Sequence, residues 1–533
     1  MRLTLVAAAV CETWAAAGPP SPPLASIRVD PATGHYVDSH GRTRIFHGVN
    51  VVYKQPPWYP RSDRFTATDS LDSQTMDDLR EWGFNAVRLG VMWPGVEPEP
   101  GRVDEGYLDA IGQLARGLAE RGIYTLADLH QDIGSRRFCG EGFPEHYVDA
   151  LLADPGSRMA KASPFPAPIM AASELPLNAS GFPRTSDCVR HQFVEYYDTY
   201  RAGALWEELY THGSPLREGF LRFWRAVAGA FKDSPHVLAY ELLNEPSGLC
   251  LKEGLLGCLS DVIPVAVGDS VEDGLLAPLY RAAAEAIRAA GAEQPILCEP
   301  TASPKLATQA FSAPPLGPEA QQGLAYHIYC AAGDGDGPVA GLLCDAAQAA
   351  YERTYYPFLQ KHRGVAGFMT EFGAIGGNPG ELKHLDRLLA AADAHFQSWA
   401  YWQLKKYGDF TTANAAESLY DEQGRLEVRK LKTLSRTYAP AIAGSPLHMA
   451  FDPATAAFEL DFNATVVGEP TELYLNEPLY YPHGYRLAIE PQHCLSPGKR
   501  LQNRVELFLK DRACLGAVVK VRLTPEPAVL LSV

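Results

Sequence analysis

Short apolar runs alternate along most of the chain with longer segments in which apolar residues recur at helical spacing. The runs are rich in β-branched and aromatic residues, as buried strands are. Eight such runs occur in order, and they end near Val52, Val91, His130, Glu245, Pro300, Tyr329, Gly373 and Leu404. This order predicts eight strand-then-helix units.

Two of the segments between the runs show the helical pattern clearly. Apolar residues over 108–118 recur at helix spacing, and Gly122 stands where a C-terminal cap belongs. A second helix is predicted over about 277–287, with Gly291 at its end. Eight such units with nearly continuous apolar strands predict an α/β fold, a closed parallel (β/α)8 TIM barrel. An open doubly wound sheet is the alternative, but no glycine-rich phosphate loop follows the first run.

The pattern changes near Gly444, where helical spacing stops. Short stretches of alternating apolar and polar residues follow, among them AFELDFNATV, TELYLN, YRLAIE, RVELFL and AVVKVRL. Alternation of this kind predicts a C-terminal antiparallel β-sandwich of about 90 residues. We therefore divide the chain into a signal peptide over 1–17, a barrel over 18–440 and a β-sandwich over 441–533.

The charge of the chain excludes one class of partner. The chain carries 47 Lys+Arg against 63 Asp+Glu, a net charge of -16. No long basic run is present that would neutralise a phosphate backbone, so nucleic acid is not an expected partner. With 533 residues and 46% hydrophobic content, the chain is long enough to bury a large core. We expect a monomer that uses no cofactor.

The first residues, MRLTLVAAAVCETWAAAG, resemble an export signal. They combine an early Arg, an apolar run over 3–10, and small residues at Ala15 and Ala17 where a signal peptidase cuts. A hydrophobic but uncleaved N-terminus is the alternative. Glycosylation sequons at Asn178 and Asn463 favour export, and no other stretch reaches the roughly 18 to 20 apolar residues that span a bilayer. We expect a secreted or lysosomal glycoprotein.

The cysteine content agrees with an oxidising compartment. Ten cysteines are present, and Cys11 lies in the predicted signal peptide, which leaves nine. Proximity along the chain predicts disulfides between Cys139 and Cys188, Cys250 and Cys258, Cys330 and Cys344, and Cys494 and Cys514. Cys298, in the apolar run PILCEP, is then a buried free thiol.

The loop after the third run is long, from Gln131 to about Ser214, and it contains SPFPAPIM over 163–170. Loops after barrel strands build the active-site face, so this insertion is expected to shape the substrate cleft. Two hypotheses stay open for its apolar tip. It is either a lid that touches lipid or an irregular loop that packs its apolar residues on the barrel.

Polar residues stand at the carboxyl ends of the predicted barrel strands, where they are open to a ligand. They are Arg88 on strand two, His130 and Asp132 on three, Asn244 and Glu245 on four, His327 and Tyr329 on six, Glu371 on seven, and Trp402 on eight. Glu245 and Glu371 are expected to face each other across the barrel mouth. Such a pair suits cleavage of a glycosidic bond, with retention at a separation of about 5 to 5.5 Å and inversion at about 6.5 to 9.5 Å. We predict retention.

The motifs VRLG, ELLNEP, YHIY, TEFG and AYWQ, in this order and on these strands, resemble the signature of glycoside hydrolase family 5 in clan A. Within it, GVNVVYK, ADLHQD, AYELLNEP and the C-terminal EPTELYLNEP are similar to endoglycoceramidases and related enzymes that cut glycosphingolipids. The similarity covers nearly the whole mature chain. It implies a retaining β-glycosidase that hydrolyses the bond between the glycan head group and ceramide, in transient contact with a membrane or micelle surface.

The resemblance also implies roles for individual residues. Glu371 is the implied nucleophile and Glu245 the implied general acid/base. The implied substrate-binding residues are Asn244 at the sugar 2-hydroxyl, Arg88 and Tyr329 around the nucleophile, and Lys54, His130, Asp132, His327 and Trp402 along the glycone subsite. The chemistry agrees with these roles. A guanidinium beside Glu371 is expected to keep it ionised, and the negative charge of Glu371 is expected to raise the pKa of Glu245.

Most of these residues also have a purely structural explanation. Arg88 alternatively forms an ion pair that closes the barrel, and Lys54 alternatively is a solvated loop charge. His130 and His327 are alternatively core histidines, and Trp402 a core residue rather than a stacking surface for a pyranose. Asp128 shares the strand face of His130 and is expected to orient its imidazole. A metal site among these histidines and aspartates is disfavoured, since the glutamate pair needs no metal and no compact ligand spacing is present.

Other functions stay open. The alternatives within enzymes are a β-glucosidase on glucosylceramide or sterylglucoside and a polysaccharide endoglucanase, although a cellulose cleft needs a row of exposed Trp and the chain has 8 Trp in all. An inactive glycolipid-binding protein would require the loss of one glutamate. The family pattern has a sugar-facing Trp where FPEHY places His146, which leaves the preferred head group open. Glu477, in a second NEP tripeptide, is expected to be structural.

Overall fold

The computed structural model describes residues 23–161, 175–190, 196–197, 199–248, 251, 271–301, 311–330, 338–409, 415–498 and 501–527. The signal peptide, the apolar loop tip at 163–170 and the pair Cys250–Cys258 lie outside these residues, so these three features stay predictions. None of the described helices is long and apolar enough to cross a membrane.

The strands are numbered in chain order. They are β1 (Ile27–Val29), β2 (Tyr36–Asp38), β3 (Thr43–Arg44), β4 (His47–Val51), β5 (Ala86–Gly90), β6 (Tyr124–Asp128), β7 (Ile133–Gly134), β8 (Glu141–Gly142), β9 (Val237–Glu241), β10 (Ile296–Cys298), β11 (Gln322–Ile328), β12 (Val365–Phe372), β13 (Ser398–Tyr401), β14 (Tyr438–Ile442), β15 (Gly444–Asp452), β16 (Ala457–Ala464), β17 (Thr471–Tyr474), β18 (Tyr485–Glu490), β19 (Leu495–Pro497), β20 (Arg504–Leu509) and β21 (Val518–Pro525).

The helices are numbered in the same way. They are α1 (Ser73–Glu81), α2 (Trp93–Val96), α3 (Glu105–Ala119), α4 (Glu145–Ala153), α5 (Arg158–Lys161), α6 (Thr185–Cys188), α7 (Tyr200–Tyr210), α8 (Pro215–Phe231), α9 (Ala277–Ala289), α10 (Pro338–Lys361), α11 (Pro379–Ala394), α12 (Val428–Leu434) and α13 (Glu477–Tyr480). A π-helical turn, Glu272–Leu276, precedes α9, and 3₁₀ turns occur at Arg136–Phe138, Ala415–Glu417 and Arg512–Cys514.

Eight parallel strands close into a barrel in the order β4, β5, β6, β9, β10, β11, β12 and β13, and β13 pairs back with β4. Each of the eight apolar runs in the sequence overlaps one of these strands. The strands are buried along their whole length, as expected where helices cover the outside and side chains fill the inside. The predicted (β/α)8 barrel is confirmed, and the open doubly wound sheet is excluded.

The two helices predicted most clearly begin and end at local signals. Asp104 caps α3 by accepting the Tyr107 N–H at 3.0 Å, and Gly122 follows the end of the helix with φ +78°. After α9, Gly291 adopts φ +89°. Glycine is favoured at both turns because residues with a Cβ atom rarely adopt positive φ.

The C-terminal part contains two antiparallel sheets, with strand orders β1-β2-β3-β14-β17-β20-β19 and β15-β16-β21-β18. Leu473 and Leu507 of the first sheet share one buried cluster with Leu460 and Val521 of the second. The predicted C-terminal β-sandwich is confirmed. The sequence did not predict that β1 to β3, from the start of the chain, join its first sheet. The predicted boundary at residue 441 falls inside β14 and stays a prediction.

The same N-terminal strands also cover the amino end of the barrel. Ile27, Val29 and Tyr36 belong to a buried cluster with Phe46 and Phe368. The Tyr36 ring lies 5.7 Å from the Phe46 ring and 6.2 Å from the Phe368 ring. Side chains thus fill the amino end, and the carboxyl end is left for a functional site.

Three of the predicted disulfides are present. They join Cys139 to Cys188, Cys330 to Cys344 and Cys494 to Cys514, and Cys298 is a buried free thiol as predicted. Because Cys330 directly follows Tyr329, the second disulfide ties the first turns of α10 to the carboxyl end of the barrel.

Candidate active site

The two predicted catalytic glutamates meet at the carboxyl end of the barrel. Glu371 lies near the end of β12, and Glu245 lies just beyond β9. A carboxylate oxygen of Glu245 and one of Glu371 are within 4.8 Å of each other, with His327 beside both. His327 Nδ1 lies 2.8 Å from Glu245 Oε1 and 3.5 Å from Glu371 Oε2.

Arg88 is the buried cation of this site. Its Nη1 donates to Glu371 Oε1 at 2.6 Å, and its Nε donates to Glu241 Oε2 at 2.6 Å. Its Nη2 lies 3.1 Å from Asp128 Oδ1 and donates to Asn244 Oδ1 at 2.8 Å. One guanidinium therefore contacts three buried carboxyl groups and orients the Asn244 amide. From the sequence, Arg88 was expected either to form a structural ion pair or to contact the nucleophile, and in the structure it does both.

Both oxygens of Glu371 have a donor. Arg88 binds Oε1, and the Tyr329 hydroxyl donates to Oε2 at 2.8 Å. Burial and the charge of Glu371 raise the pKa of Tyr329 well above its usual value, so its hydroxyl keeps its proton. Two fixed donors therefore hold the carboxylate by both oxygens and fix its plane.

Glu245 is in a different environment. Burial, and then the negative charge of Asp132, raise the pKa of Glu245 to about 7. Its side chain nevertheless keeps 18% of its surface exposed, so a substrate can contact the carboxyl group. The sequence predicted the charge of Glu371 as the cause of the raised pKa, whereas in the structure the causes are burial and Asp132.

His327 is neutral at ordinary pH. Burial lowers the pKa of His327 to about 4, and the charge of Arg88 acts in the same direction against the opposing effect of Glu371. A neutral imidazole between the two glutamates adds no positive charge there, so it preserves the difference between their environments. It is buried, as the core-histidine alternative expected, yet it contacts both carboxyl groups.

His130 has the opposite charge state. Its Nδ1 lies 2.8 Å from Asp128 Oδ2, as expected from their spacing in the sequence, and its Nε2 lies 3.5 Å from Asp132 Oδ2. Burial lowers the pKa of His130, but Asp128 and Asp132 outweigh burial and raise it to about 9. His130 is therefore an imidazolium at neutral pH.

Lys54 is buried, so the alternative of a solvated loop charge is wrong. Its Nζ bonds Asp132 and lies 3.2 Å from Asp409 Oδ2 and 3.7 Å from Glu141 Oε1. Burial lowers the pKa of Lys54, but these carboxylates outweigh it and hold that pKa well above its usual value. The ammonium also lies 4.7 Å from the centre of the Trp402 ring.

Trp402 lies between Lys54 and His130 at the barrel mouth. Its ring is stacked on the His130 ring with 5.2 Å between centroids, and its Nε1 donates to Glu417 Oε2 at 3.0 Å. Only 3% of the residue is exposed. These contacts fix the orientation of the indole ring between Lys54 and His130.

Several residues of the site with buried side chains were not predicted from the sequence. They are Glu241, which lies near Arg88, Glu299, which lies near His327, Glu141 and Asp409, which lie near Lys54, and Gln131, which donates to the Asn244 carbonyl oxygen. Glu241 ends β9 and Glu299 directly follows β10, so their strand-end positions were a signal that the sequence offered. Gln131 stands between His130 and Asp132, which the sequence did single out. Glu141 and Asp409 lack such a signal, because their contacts with Lys54 join residues far apart in the chain.

Among the described residues, three clusters in the barrel mouth have the side chains of a metal site. They are His130 with Asp132 and Glu141, Glu241 with Glu299 and His327, and Glu245 with His327 and Glu371. The cations Lys54 and Arg88 already lie against the carboxylates of these clusters. The chemistry of the donors thus gives no need for a metal, and the metal-free reaction stays a prediction.

Two residues that the sequence singled out lie elsewhere. His146 Nε2 is 3.8 Å from Glu97 Oε1, and its ring lies 4.2 Å from the Tyr147 ring. Glu477 begins the four-residue helix α13 in the C-terminal domain, where its N–H donates to Asn503 Oδ1 at 3.1 Å. Of the two NEP tripeptides, only the first lies at the barrel mouth.

The chain is similar to known proteins over most of its length. Residues 37–408 match the cellulase family (glycosyl hydrolase family 5), and residues 436–522 match the glycoside hydrolase family 5 C-terminal domain. The endoglycoceramidase of Cyanea nozakii is 31% identical over 504 residues, 93% of each chain. The endoglycoceramidase of Hydra vulgaris is 31% identical over 490 residues, 91% of this chain and 87% of its own.

A solved structure shares the fold. Endo-glycoceramidase II from Rhodococcus sp. superimposes with a TM-score of 0.69 in its complex with a five-membered iminocyclitol and 0.68 in its complex with ganglioside GM3. In both cases 23% of residues are identical, and the match covers 92% of this chain and 99% of that one. The matched families and the long relatives agree with the paired glutamates at the barrel mouth. The chain belongs to glycoside hydrolase family 5 and is a glycoside hydrolase.

Proposed function

We propose that this glycoside hydrolase is a retaining enzyme that cleaves the bond between the glycan head group and the ceramide of glycosphingolipids. The observation that carries the proposal is the approach of Glu245 and Glu371 to within 4.8 Å, a spacing that suits a covalent intermediate rather than an intervening water. The substrate class is supported by the relatives of matching length, which are endoglycoceramidases, and by the ganglioside bound in the solved neighbour.

In the first step, Glu371 attacks the anomeric carbon and forms a glycosyl-enzyme ester. Arg88 and Tyr329 donate hydrogen bonds to the two oxygens of the attacking carboxylate and orient it. Glu245 gives its proton to the glycosidic oxygen as the bond to the anomeric carbon breaks, so ceramide leaves as a neutral alcohol. A carboxyl group with a pKa of about 7 is suited to this task, because it is still protonated in weakly acidic solution.

In the second step, Glu245 acts as a base. Having lost its proton, it takes one from a water molecule, which attacks the anomeric carbon and releases Glu371 as a carboxylate. The glycan leaves with its anomeric configuration retained. His327 is neutral and lies 2.8 Å from Glu245, so it adds no charge beside either the protonated or the ionised form of Glu245.

We propose that the charged cluster beside the two glutamates binds the sugar next to the scissile bond. Its members are Lys54, His130, Asp132, Asn244, His327 and Trp402. Carboxylate oxygens there accept hydrogen bonds from sugar hydroxyls, while the ammonium, imidazolium and amide groups donate them. Because each group is held by a neighbour, little side-chain entropy is lost when the sugar binds.

The proposal is tested with a panel of glycosides and the purified protein. Release of an intact oligosaccharide from ceramide is expected, detected by chromatography of the glycan and of the lipid. Glucosylceramide, a sterylglucoside and a soluble β-glucan are the competing substrates. Turnover of the soluble glucan without any action on glycolipids would refute the proposed substrate class, and so would action confined to the sterylglucoside.

We also propose that the enzyme works as a monomer at a membrane or micelle surface. Leu342 and Leu343 support the lipid contact, because they lie near the start of α10 with 69% and 55% of their surface exposed. The disulfide from Cys330 to Cys344 holds this turn beside Tyr329, close to the catalytic pair. Two exposed leucines at the rim of a site for lipid-linked sugar suit shallow insertion among acyl chains.

We propose that the protein is exported, as a secreted or lysosomal glycoprotein. The leader-like N-terminus and three disulfides among the described cysteines support an oxidising destination. Asn178 is exposed in a turn and suits glycosylation better than Asn463, which is half-buried within β16. Sensitivity of the mobility of the expressed protein to a glycosidase that removes N-glycans tests this proposal, and an Asn178→Gln variant identifies the site.

A further inference from the structure

A buried carboxyl group that takes no part in the steps above lies directly behind Glu245. Glu299 follows β10, and 2% of its surface is exposed. Its Oε2 accepts the backbone N–H of Glu245 at 2.8 Å, and its Oε1 lies 3.4 Å from His327 Nδ1. The same imidazole nitrogen lies 2.8 Å from Glu245 Oε1. Glu299 thus contacts the Glu245 backbone directly, and it also contacts His327, the residue that the Glu245 side chain meets.

The backbone of Glu245 needs such support. Its φ is +41°, in the left-handed region that residues with a Cβ atom rarely adopt. It also precedes Pro246, and the ring of a proline pushes the preceding residue toward extended conformations. Two local preferences therefore oppose the observed conformation, and it persists because surrounding groups hold it.

Two side chains hold this peptide segment from opposite directions. Gln131 Nε2 donates to the Glu245 carbonyl oxygen at 3.0 Å and to the Asn244 carbonyl oxygen at 2.7 Å. Glu299 accepts the N–H on the other side. Of the two, Glu299 also reaches His327, so it links the backbone conformation of Glu245 to the orientation of its carboxyl group.

The charge state of Glu299 suits this arrangement. Burial, and then the charges of Glu245 and Glu241, raise the pKa of Glu299 well above its usual value. A neutral carboxyl group still offers an oxygen to the Glu245 N–H. It adds no further negative charge beside Glu371 and Glu245, whose ionised forms an ionised Glu299 would repel.

We propose that Glu299 is a positioning residue that holds the Glu245 carboxyl group in line with the leaving-group oxygen, through the Glu245 N–H and through His327. The inference rests on the proposed acid/base role of Glu245 and extends it to a residue that touches neither the substrate nor the reacting atoms. A positioning role of this kind affects proton donation more than nucleophilic attack. It therefore predicts a dependence on the leaving group that a purely structural role lacks.

Two polar variants test it. Glu299→Gln keeps a carbonyl oxygen at the same distance along the side chain, whereas Glu299→Asp keeps the carboxyl group but is one methylene too short. Rates are measured on two soluble β-glycosides of the same sugar, one with an alkyl alcohol as leaving group and one with nitrophenol. Cleavage of the alkyl glycoside requires the proton of Glu245, whereas cleavage of the nitrophenyl glycoside depends on it only weakly. The ratio of the two rates therefore reports on proton donation.

We expect Glu299→Asp to lower kcat/KM for the alkyl glycoside by about 30-fold or more and for the nitrophenyl glycoside by about threefold or less. The larger loss is a substantial part of the roughly 10²- to 10⁴-fold that general acid catalysis contributes. Glu299→Gln is expected to stay within about threefold of wild type on both, as a rescue by an acceptor of the same length. Equal losses on the two substrates in Glu299→Asp, or a loss in Glu299→Gln as large as in Glu299→Asp, overturn the proposal.

Glu272→Gln is the matched control. Glu272 is equally buried, at 2% exposure, and bonds Thr301 rather than the catalytic pair. It is expected to leave both rates near wild type, and melting temperatures of all variants are compared. A lower melting temperature of Glu299→Asp with both rates unchanged also overturns the proposal. Failure of the wild-type protein on every β-glycoside refutes the proposed function instead, so the two failures are distinguishable.

Discussion

Arg88 Nη1 donates to Glu371 Oε1 at 2.6 Å inside the carboxyl end of the barrel. The same guanidinium binds Glu241 and Asp128, so the position of the proposed nucleophile is tied to two further strands. A planar fork of donors makes this possible, and an ammonium group does not reproduce it. The position of the Glu371 carboxylate therefore depends on a network rather than on one pair.

Replacing Arg88 by Lys is expected to lower kcat by about 10²-fold or more, the size of effect that the loss of a preorganised donor has in other active sites. The reason is that Lys keeps the charge but gives up the simultaneous hydrogen bonds. Tyr329→Phe removes the other donor to Glu371 and is expected to cost about 10-fold to 100-fold, because a hydrogen bond to a charged group contributes about 1.5 to 3 kcal/mol. Steady-state kinetics on an aryl glycoside measure both. Unchanged kcat in both variants would contradict the assignment of Glu371.

The two proposed catalytic glutamates are expected to respond differently to substitution. Glu371→Gln should abolish hydrolysis of an aryl glycoside, because no nucleophile remains. Glu245→Gln should cost about 10² to 10⁴ with a poor leaving group and less with an activated one. Glu477→Gln is the control, since it makes the same change in the second NEP tripeptide, outside the barrel. It should leave activity near wild type, and a loss comparable to that of Glu245→Gln would contradict the barrel site.

The pH dependence follows from Glu245. With a pKa raised to about 7, its proton is present below that pH and is lost above it, so kcat/KM should fall on the basic side with a midpoint near pH 7. Asp132 is the charge that raises this pKa most after burial. In Asp132→Asn the midpoint should therefore move to lower pH. The position of the midpoint is the measurement, because the absolute rate also reflects sugar binding, and a midpoint that stays in place or rises contradicts the electrostatic assignment.

Contact with a lipid surface is expected to depend on Leu342 and Leu343. The double change to Ser should lower partition into uncharged phosphatidylcholine vesicles by about tenfold or more, since two large apolar side chains no longer insert. It should reduce the rate on glycolipid in vesicles while leaving the rate on a soluble aryl glycoside near wild type.

Vesicle sedimentation and parallel rate measurements check this expectation. Leu447→Ser is the matched control, because Leu447 is 50% exposed in the C-terminal domain, away from the barrel mouth. A double variant that partitions as the wild type does, or a control that loses as much as the double variant, argues against the lipid contact. The net charge of -16 predicts that binding relies on apolar contact, so added salt should weaken it little.

Local pattern was enough to predict the barrel and most of its site. The eight apolar runs became the eight strands, because strands buried on both faces carry their signal in consecutive residues. Glu245, Glu371 and Tyr329 were found because each lies at or near the end of such a run, and Arg88 because it is a charged residue inside one. The connection of β1 to β3 with the C-terminal sheet was missed, since two-residue and three-residue strands carry little pattern of their own.

The sequence by itself determined the order of the strands, the two domains and the identity of the polar residues at the barrel mouth. Only the tertiary structure decided which of these groups carry charge. Arg88 meets Glu241 across 153 residues of chain, and Glu299 meets Glu245 across 54. Desolvation and Coulomb interactions depend on such distances in space. The neutral His327, the charged His130 and the Glu245 pKa of about 7 therefore follow from packing, which the spacing of residues along the chain does not encode.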